Sequence, residues 1–178
     1  MSQQKHHSNT ESSFLIVKEK NKKVYLTQIE KQAIDHELSL VPYKKAALIE
    51  ALKIVQQHRG WISDDSVEAI AVYLEISTAE VDSVATFYNL IFRRPVGRHV
   101  ILLCDSISCY VMGYKKLYEV LQQQLDIKFG ETTADKKFTL LPNACLGCCD
   151  HAPALMIDDN LYNDVKAEGL EKILSNYS

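Results

Sequence analysis

The residues best suited to chemistry in this chain are five cysteines, all in its C-terminal half. Cys104 and Cys109 have four residues between them, Cys145 and Cys149 have three, and Cys148 directly precedes Cys149. Structural zinc sites commonly use cysteines two to four residues apart, and four-residue spacing of ligands occurs in plant-type ferredoxins, which hold a 2Fe-2S cluster. The spacing therefore predicts a site with four thiolate ligands, and it favours the cluster over zinc without excluding zinc.

The cysteine count and the start of the chain indicate a reducing compartment. Five cysteines cannot all pair as disulfides, and the first 13 residues are polar, without the apolar segment of a secretory signal. We therefore expect a cytoplasmic protein, in which clustered cysteines are commonly metal ligands or redox-active thiols. Cys145 and Cys148 also have C-x-x-C spacing, but thiol–disulfide oxidoreductases place that motif at the start of a helix, whereas here it leads to Pro153. Thiol–disulfide exchange is the least favoured of the three chemistries.

Charge is distributed unevenly along the chain. The sequence has 20 Lys and Arg against 23 Asp and Glu, which gives a net charge of −3. Residues 1–94 have 12 basic and 12 acidic side chains, and residues 95–178 have 8 and 11, so the excess negative charge lies with the cysteines. This balance argues against nucleic acid as a partner. No apolar run approaches the roughly 18 residues that span a bilayer, so we expect no direct membrane insertion.

The elements that must position the cysteines fall into two groups, and the first is typical of a small bundle of about four helices. The first helix is indicated by apolar residues at helical spacing, which are Ile29, Ala33, Ile34 and Leu38. The clearest helix covers residues 44–59. The expected boundary signals are a left-handed Gly60, an N-cap at Ser63, and a capping box formed by Ser77 and Glu80.

The second group has the pattern of an α/β unit with a mixed sheet, so the whole chain is predicted to be α+β. The predicted elements are a strand at 99–104, a helix at 113–124, a strand at 138–141, a hairpin of 155–157 with 161–162, and a last helix at 167–177. Each cysteine pair directly follows a predicted strand, and two loops that leave one edge of a sheet can converge. Gly147 would let backbone amides approach sulfur closely. We therefore expect a cage of four thiolates.

Long strings of residues, and not only the cysteines, match one known family. The matching strings are FY at 87–88, IFRRPVGRHVI at 91–101, CDSISC at 104–109, FTLLP at 138–142 and CLGCCD at 145–150. Through them the chain, from about residue 28 to residue 177, resembles the E subunit, the small iron–sulfur subunit of bacterial NADH-quinone oxidoreductase (respiratory complex I). The helical segment IEALKIV at 49–55 is part of the same likeness.

The resemblance implies a fold and a cofactor. With the polar start of the chain, which predicts a flexible tail at 1–24, it implies a helical bundle domain at 25–94 and a thioredoxin-like ferredoxin domain at 95–178. It implies one low-potential 2Fe-2S cluster, with Cys104, Cys109, Cys145 and Cys149 as ligands. On the same analogy Pro153 is expected to follow a cis peptide bond.

The resemblance also implies a role and partners. The subunit would exchange electrons with the flavin of an NADH-binding subunit, contact other subunits of the peripheral arm, and lie at the cytoplasmic face of the inner membrane through its complex. It would be a non-catalytic electron-transfer subunit, and the absence of a G-x-G-x-x-G string predicts no NADH or flavin site on this chain. An equivalent subunit of an NAD-linked hydrogenase or formate dehydrogenase and, from a different class, a zinc-stabilised interaction module remain alternatives.

Two features near the cysteines refine these expectations. Cys148 departs from the family pattern, which often has a small or polar residue there, so we interpret it as a bystander thiol, with ligand swapping with Cys149 left open. Asp105 and Asp150 each follow an expected ligand, and negative charge near a cluster lowers its reduction potential. A helix beginning near Gly113 would partly offset that effect with its positive end.

Overall fold

The N-terminal part of the protein is helical, as predicted. The computed structural model describes residues 25–178, so the tail predicted for residues 1–24 lies outside the described residues. The four main helices are α1 (Gln28–Leu40), α2 (Leu48–Arg59), α3 (Asp64–Leu74) and α4 (Thr78–Phe87). They bury one apolar core, whose most enclosed side chains are Ile34, Leu52, Val55, Ile62, Ile70, Leu74 and Val81.

Capping residues determine where these helices begin and end. The Ser63 side chain accepts a hydrogen bond from the backbone N–H of Ser66, and the capping box predicted for Ser77 and Glu80 is present in full. Gly60 ends α2 with φ 82°, a left-handed conformation that costs glycine little. The three predicted boundary signals are therefore confirmed.

One of the apolar residues that indicate α1 does not lie in the core. Ile29 is 66% exposed, whereas the neighbouring Glu30 is fully buried. The Arg59 guanidinium from α2 donates to both carboxylate oxygens of Glu30, with Nε to Oε1 at 2.6 Å and Nη2 to Oε2 at 2.7 Å. Because a two-bond ion pair satisfies the buried charge, α1 directs the Glu30 carboxylate into the core. Apolar spacing alone favours Ile29 for that position.

Two predicted helices are shorter than their apolar patterns suggest. The first turn of the segment at 44–59 is a 3-10 helix, Lys44–Ala47, in which the N–H of Ala46 bonds to the carbonyl of Tyr43 at 3.0 Å. The segment at 167–177 contains a 3-10 turn, Ala167–Gly169, and the short α7 (Leu170–Leu174). Tyr177 lies beyond α7, where its hydroxyl meets that of Tyr162 at 2.8 Å. Apolar spacing does not distinguish a tight first or last turn from an α-helical one.

The C-terminal part is built on a four-stranded mixed sheet, as predicted. Its strands are β1 (His99–Cys104), β2 (Phe138–Asn143), β3 (Leu155–Ile157) and β4 (Asn160–Tyr162), in the order β2-β1-β3-β4. β1 pairs in parallel with β2 and antiparallel with β3, and β3 and β4 form the predicted hairpin. The helices α5 (Ile107–Val111) and α6 (Tyr114–Leu125) follow β1. A second apolar core, including Leu103, Leu121, Leu140, Leu155 and Leu170, joins the sheet to α6 and α7.

The parallel pair of strands determines where the cysteines lie. β1 ends at Cys104, which is opposite Asn143 at the end of β2, so the two strands release their loops at the same edge of the sheet. The two apolar cores contain separate sets of residues. This separation supports a domain division near residues 94–95, which stays a prediction.

Candidate iron–sulfur site

The first cysteine pair is buried at the end of β1. Cys104 is the last residue of that strand, and Cys109 lies on α5, so it is on a helix and not on the loop expected from the sequence. Ser106 stands between them as the N-cap of α5, where its hydroxyl accepts from the backbone N–H of Cys109 at 3.5 Å. The same hydroxyl oxygen lies 3.4 Å from the Sγ of Cys104. One serine thus fixes both members of the pair.

The second pair lies on an exposed loop after β2. The Sγ atoms of Cys145 and Cys149 are 3.5 Å apart, and both side chains are exposed. Gly147, with φ 83°, turns its backbone N–H toward the Sγ of Cys145 at 3.3 Å, which confirms the predicted role for this glycine. Cys149 begins a 3-10 turn, Cys149–His151, closed by the N–H of His151 on the carbonyl of Cys148 at 3.0 Å.

Backbone hydrogen bonds bring the two loops to one place. The N–H of Cys104 donates to the carbonyl of Ala154 at 3.1 Å, and the N–H of Asp105 donates to the carbonyl of Asn143 at 2.9 Å. A small apolar cluster encloses the buried pair, with Ala152 and Ala154 at its centre and Tyr114, Leu146 and Cys148 packed on it. The bond between Ala152 and Pro153 is cis, as predicted.

The four predicted ligands therefore converge as two pairs, one buried and one exposed. Within residues 25–178, no three side chains of His, Cys, Asp or Glu are gathered closely enough to hold one metal ion. The assignment of Cys104, Cys109, Cys145 and Cys149 as a single ligand set stays a prediction. Sequence reasoning missed Ser106, although a serine two residues after a cysteine and directly before a short helix is a recognisable N-cap signal.

The surroundings of Cys104, Cys109 and Cys149 shift the pKa values of their thiols, in different directions. Burial raises the pKa of the Cys104 thiol, but hydrogen bonds from Ser106 and from the backbone of Leu146 outweigh burial and hold that pKa below its usual value. Burial raises the pKa of Cys109, and the hydrogen bond from Cys149 to Cys145 raises the pKa of Cys149. Thiols bind metal as thiolates, so occupation of the site must release the protons that Cys109 and Cys149 hold.

An exposed apolar surface borders the site. α5 packs against the 3-10 turn that begins at Cys149. Its outer side, with the residue that follows it, consists of Ile107, Tyr110, Val111 and Met112, which we call the α5 surface. Ile107, Val111 and Met112 are 76%, 74% and 61% exposed. So large a contiguous apolar exposure beside a potential redox site is typical of a binding surface.

Comparisons with known proteins agree with this geometry. The family model for thioredoxin-like [2Fe-2S] ferredoxins matches residues 34–178. The chain is 51% identical over 152 residues to the E subunit of the NADH-quinone oxidoreductase of Pseudomonas aeruginosa, covering 85% of this chain and 92% of the relative. For the E subunit of Escherichia coli strain K12 the identity is 47%, with the same coverage.

Among solved structures, the fold is similar to a chain in the crystal structure of NAD+-reducing [NiFe]-hydrogenase in the air-oxidized state. The TM-score is 0.62 and the identity is 24%, over 72% of this chain and 22% of that chain. At this identity the likeness concerns the fold alone.

Proposed function

This chain belongs to the E-subunit family of NADH-quinone oxidoreductases, within the thioredoxin-like [2Fe-2S] ferredoxins, and on that premise we propose which of its residues hold the cluster and which surface receives the partner. It is an electron-transfer subunit with one 2Fe-2S cluster. We assign Cys104, Cys109, Cys145 and Cys149 as the ligands. The observation that carries this assignment is the release of both cysteine pairs at one edge of the sheet, where β1 and β2 end side by side.

The chemistry of the donor set fits the cluster. The proposed ligand set consists of four thiols, and thiolates are the ligands that iron–sulfur clusters use. The two pairs lie on separate segments of the chain, and a 2Fe-2S cluster needs more room than a single ion. When bound, the cluster would accept and release single electrons. The family membership selects it over the structural zinc that the spacing left open.

The protein groups around the site would set the reduction potential. Asp105 and Asp150 are exposed beside the ligands, and residues 95–178 have three more acidic than basic side chains, which disfavours an added electron. The N–H of Gly147 and the hydroxyl of Ser106 face sulfur and act in the opposite direction, because hydrogen bonds stabilise the more negative reduced state. This excess of negative charge supports a low-potential centre.

The α5 surface is the proposed docking site for the flavin-bearing, NADH-binding subunit. It borders the exposed ligand pair, so a partner seated there would approach the cluster from its accessible side. Its Ile107, Val111 and Met112 lack charge, which suits a permanent subunit contact. Among the described residues, no helix is long and apolar enough to cross a membrane. We propose that the subunit is held at the cytoplasmic face of the inner membrane by this partner and by other subunits of the peripheral arm.

A related NAD-linked hydrogenase or formate dehydrogenase is the second candidate assembly. The likeness to the hydrogenase chain supports a shared fold, whereas the relatives at 51% and 47% identity bear the name of the E subunit of NADH-quinone oxidoreductase. These relatives favour the quinone-linked complex. Co-purification of the tagged chain from its own cells, with identification of the associated subunits, distinguishes the two.

Cluster content is tested by anaerobic purification of the full chain. We expect two irons and two sulfides per chain, a visible absorption band, and a rhombic EPR signal after reduction with dithionite. A colourless protein with stoichiometric zinc would disprove the proposal.

Docking is tested with two matched variants. Val111 on the α5 surface and Val72 on α3 are both 74% exposed, so aspartate at either position is tolerated by the fold. We expect Val111→Asp to abolish co-elution with the NADH-binding subunit and Val72→Asp to leave it unchanged. Equal loss in both variants would contradict the placement of the partner on the α5 surface.

A further inference from the structure

The fifth cysteine occupies an unexpected place. Cys148 is half-buried and packs on the small apolar cluster that contains Cys104 and Cys109, together with Ala152 and Ala154. The adjacent Cys149, which the sequence pattern assigns as a ligand, is exposed. Of these two adjacent thiols, Cys148 is the better enclosed. Its position places Cys148 against the ligand pair, on the inner side of the loop.

From this placement we infer that Cys148 is a reserve ligand, whose thiolate can take the place of Cys149 on the cluster. The inference rests on the proposed function, because it presupposes that the cluster is held at this edge of the sheet. It concerns only the fourth ligand position. Cys104, Cys109 and Cys145 keep their assignments.

The loop is built so that the exchange needs little rearrangement. On one side of Cys148 is Gly147, where an added Cβ would meet no atom within 4 Å and where the backbone already has a positive φ of 83°. On the other side is a single 3-10 turn. Glycine gives the loop rotational freedom, and one turn of 3-10 helix is weakly held. A rotation of the segment at 147–149 can therefore present either thiol to the same position.

The other ligands have no such neighbour. Cys104 is flanked by Leu103 and Asp105, and Cys109 by Ser108 and Tyr110, so the buried pair has no adjacent thiol. The buried pair is also held by a strand, an N-cap and an α-helix. A reserve thiol is therefore available only to the exposed pair, which is the pair more accessible to solvent and oxidants.

The exchange is a ligand substitution without electron transfer. Cys149 would leave the cluster and its thiolate would take up a proton, while Cys148 would give up its proton and bind in its place. One bond forms and one breaks, and the charge of the site and the oxidation states of its irons are unchanged.

The test uses alanine variants of the full chain, because a serine oxygen could itself bind iron. The set is Cys148→Ala, Cys149→Ala, the double variant, and Cys104→Ala as a matched control at a ligand without a neighbouring thiol. The readouts are iron and acid-labile sulfide per chain, visible absorption, and EPR after reduction with dithionite. Far-UV circular dichroism verifies the fold of each variant.

The expected pattern is asymmetric. Cys148→Ala should retain the unsubstituted iron content and spectrum. Cys149→Ala should retain at least about half of the iron, with shifted EPR g values, whereas the double variant and Cys104→Ala should lose about tenfold or more. Loss in Cys149→Ala as complete as in the double variant would overturn the inference. So would loss in Cys148→Ala, because Cys148 would then be the native ligand. Loss of the cluster from the unsubstituted chain would instead refute the proposed function.

A second measurement applies if Cys149→Ala does not fold. The unsubstituted chain and Cys148→Ala both contain the four assigned ligands. A difference between their rates of cluster loss in the presence of an iron chelator therefore measures the contribution of Cys148. We expect the loss to be about threefold or more faster in Cys148→Ala, since a ligand that dissociates there has no replacement. Equal rates would overturn the inference.

Discussion

The two halves of this protein use charge in opposite ways. Among the described residues, every ion pair between Lys or Arg and a carboxylate lies in the helical half; the pairs are Lys44–Glu75, Lys45–Glu80, Lys53–Glu50, Arg59–Glu30 and Arg93 with Asp64 and Asp82. In the sheet half, the carboxylates that form ion pairs do so with histidines, His99 and His151. The helical half neutralises its charge internally, whereas the sheet half keeps an acidic excess beside the cysteines.

The difference shows how the chain divides its tasks. Apart from Lys53–Glu50, which lies within α2, the pairs join different segments of the helical half, and Glu30 with Arg59 does so inside the core. Asp105, beside the proposed ligands, has no ion-pair partner in the described part of the chain, and Asp150 has only His151, at 3.6 Å, so their negative charge would act on the cluster. One half uses its charges for stability, and the acidic excess of the other is proposed to lower the reduction potential of the cluster.

Removal of a buried ligand tests whether the halves are independent, and it has the largest expected effect. Cys104→Ala should lower the iron content about tenfold or more, because it removes the thiol with the lowered pKa and the hydrogen bond to Ser106. The fluorescence of Trp61, the only tryptophan in the sequence, reports on the helical half. Its urea unfolding midpoint should not change, and a large decrease would show that the halves do not fold independently.

The sequence predicted the parts of the site that depend on strand order. The spacing of Cys104 and Cys145 after two apolar runs placed both pairs at one sheet edge, because parallel neighbours end together. The helical half was predicted from apolar spacing and from caps such as Ser63, which act through adjacent residues.

Contacts between distant residues could not be predicted in this way. The burial of Glu30 depends on Arg59, 29 positions away, and nothing local to α1 indicates it. The enclosure of Cys148 depends on how its loop packs against Ala152 and Ala154. Hydrophobic periodicity describes one element at a time, so it missed a buried charge whose partner is on another helix and a thiol that a neighbouring loop half buries.

Two matched core variants test the separation of the halves directly. Leu121 in α6 and Leu52 in α2 are each fully buried, and truncation of a buried leucine costs about 3 kcal/mol. Leu121→Ala should lower the unfolding midpoint measured by cluster absorption. Leu52→Ala should lower the unfolding midpoint measured by Trp61 fluorescence. If each variant shifted both probes equally, the two cores would form one cooperative unit.

Breaking the buried ion pair should cost somewhat less. Glu30→Gln removes the carboxylate that accepts two bonds from Arg59, which is one-fifth exposed and therefore partly solvated when it loses its partner. We expect the free energy of unfolding of the helical half to fall by about 2 kcal/mol. Glu50→Gln is the control, because its exposed pair with Lys53 should contribute less than about 0.5 kcal/mol. Similar losses in both would contradict a structural role for the buried pair.

Acid should act on the helical half through the same charges. The hydrogen bonds from Arg59 and Thr27 outweigh burial and lower the pKa of Glu30, and the Lys45 ammonium lowers that of Glu80 to about 2. A carboxyl whose pKa is lowered by folding stabilises the fold above its unfolded pKa of 4.5, and this stabilisation is lost as the pH falls toward the folded value. The urea unfolding midpoint followed by Trp61 fluorescence should therefore decrease as the pH is lowered below 4.5. The decrease should be less steep in Glu30→Gln. The same slope in both proteins would exclude Glu30 as the source.

The smallest expected effects come from comparing two serines that each cap a helix, one in each half. Ser77 caps α4 and Ser106 caps α5, each accepting a hydrogen bond from a backbone N–H three residues later. Ser77→Ala should cost about 1 kcal/mol in the helical half and leave the cluster spectrum unchanged. Ser106→Ala should instead make the reduction potential more negative, because the Cys104 sulfur loses a hydrogen-bond donor that stabilises the reduced state. Potentiometric titration followed by EPR measures the shift. If the potential were unchanged in Ser106→Ala, this serine would be a helix cap alone, and the contrast between a stabilising half and a redox-tuning half would not extend to single hydroxyl groups.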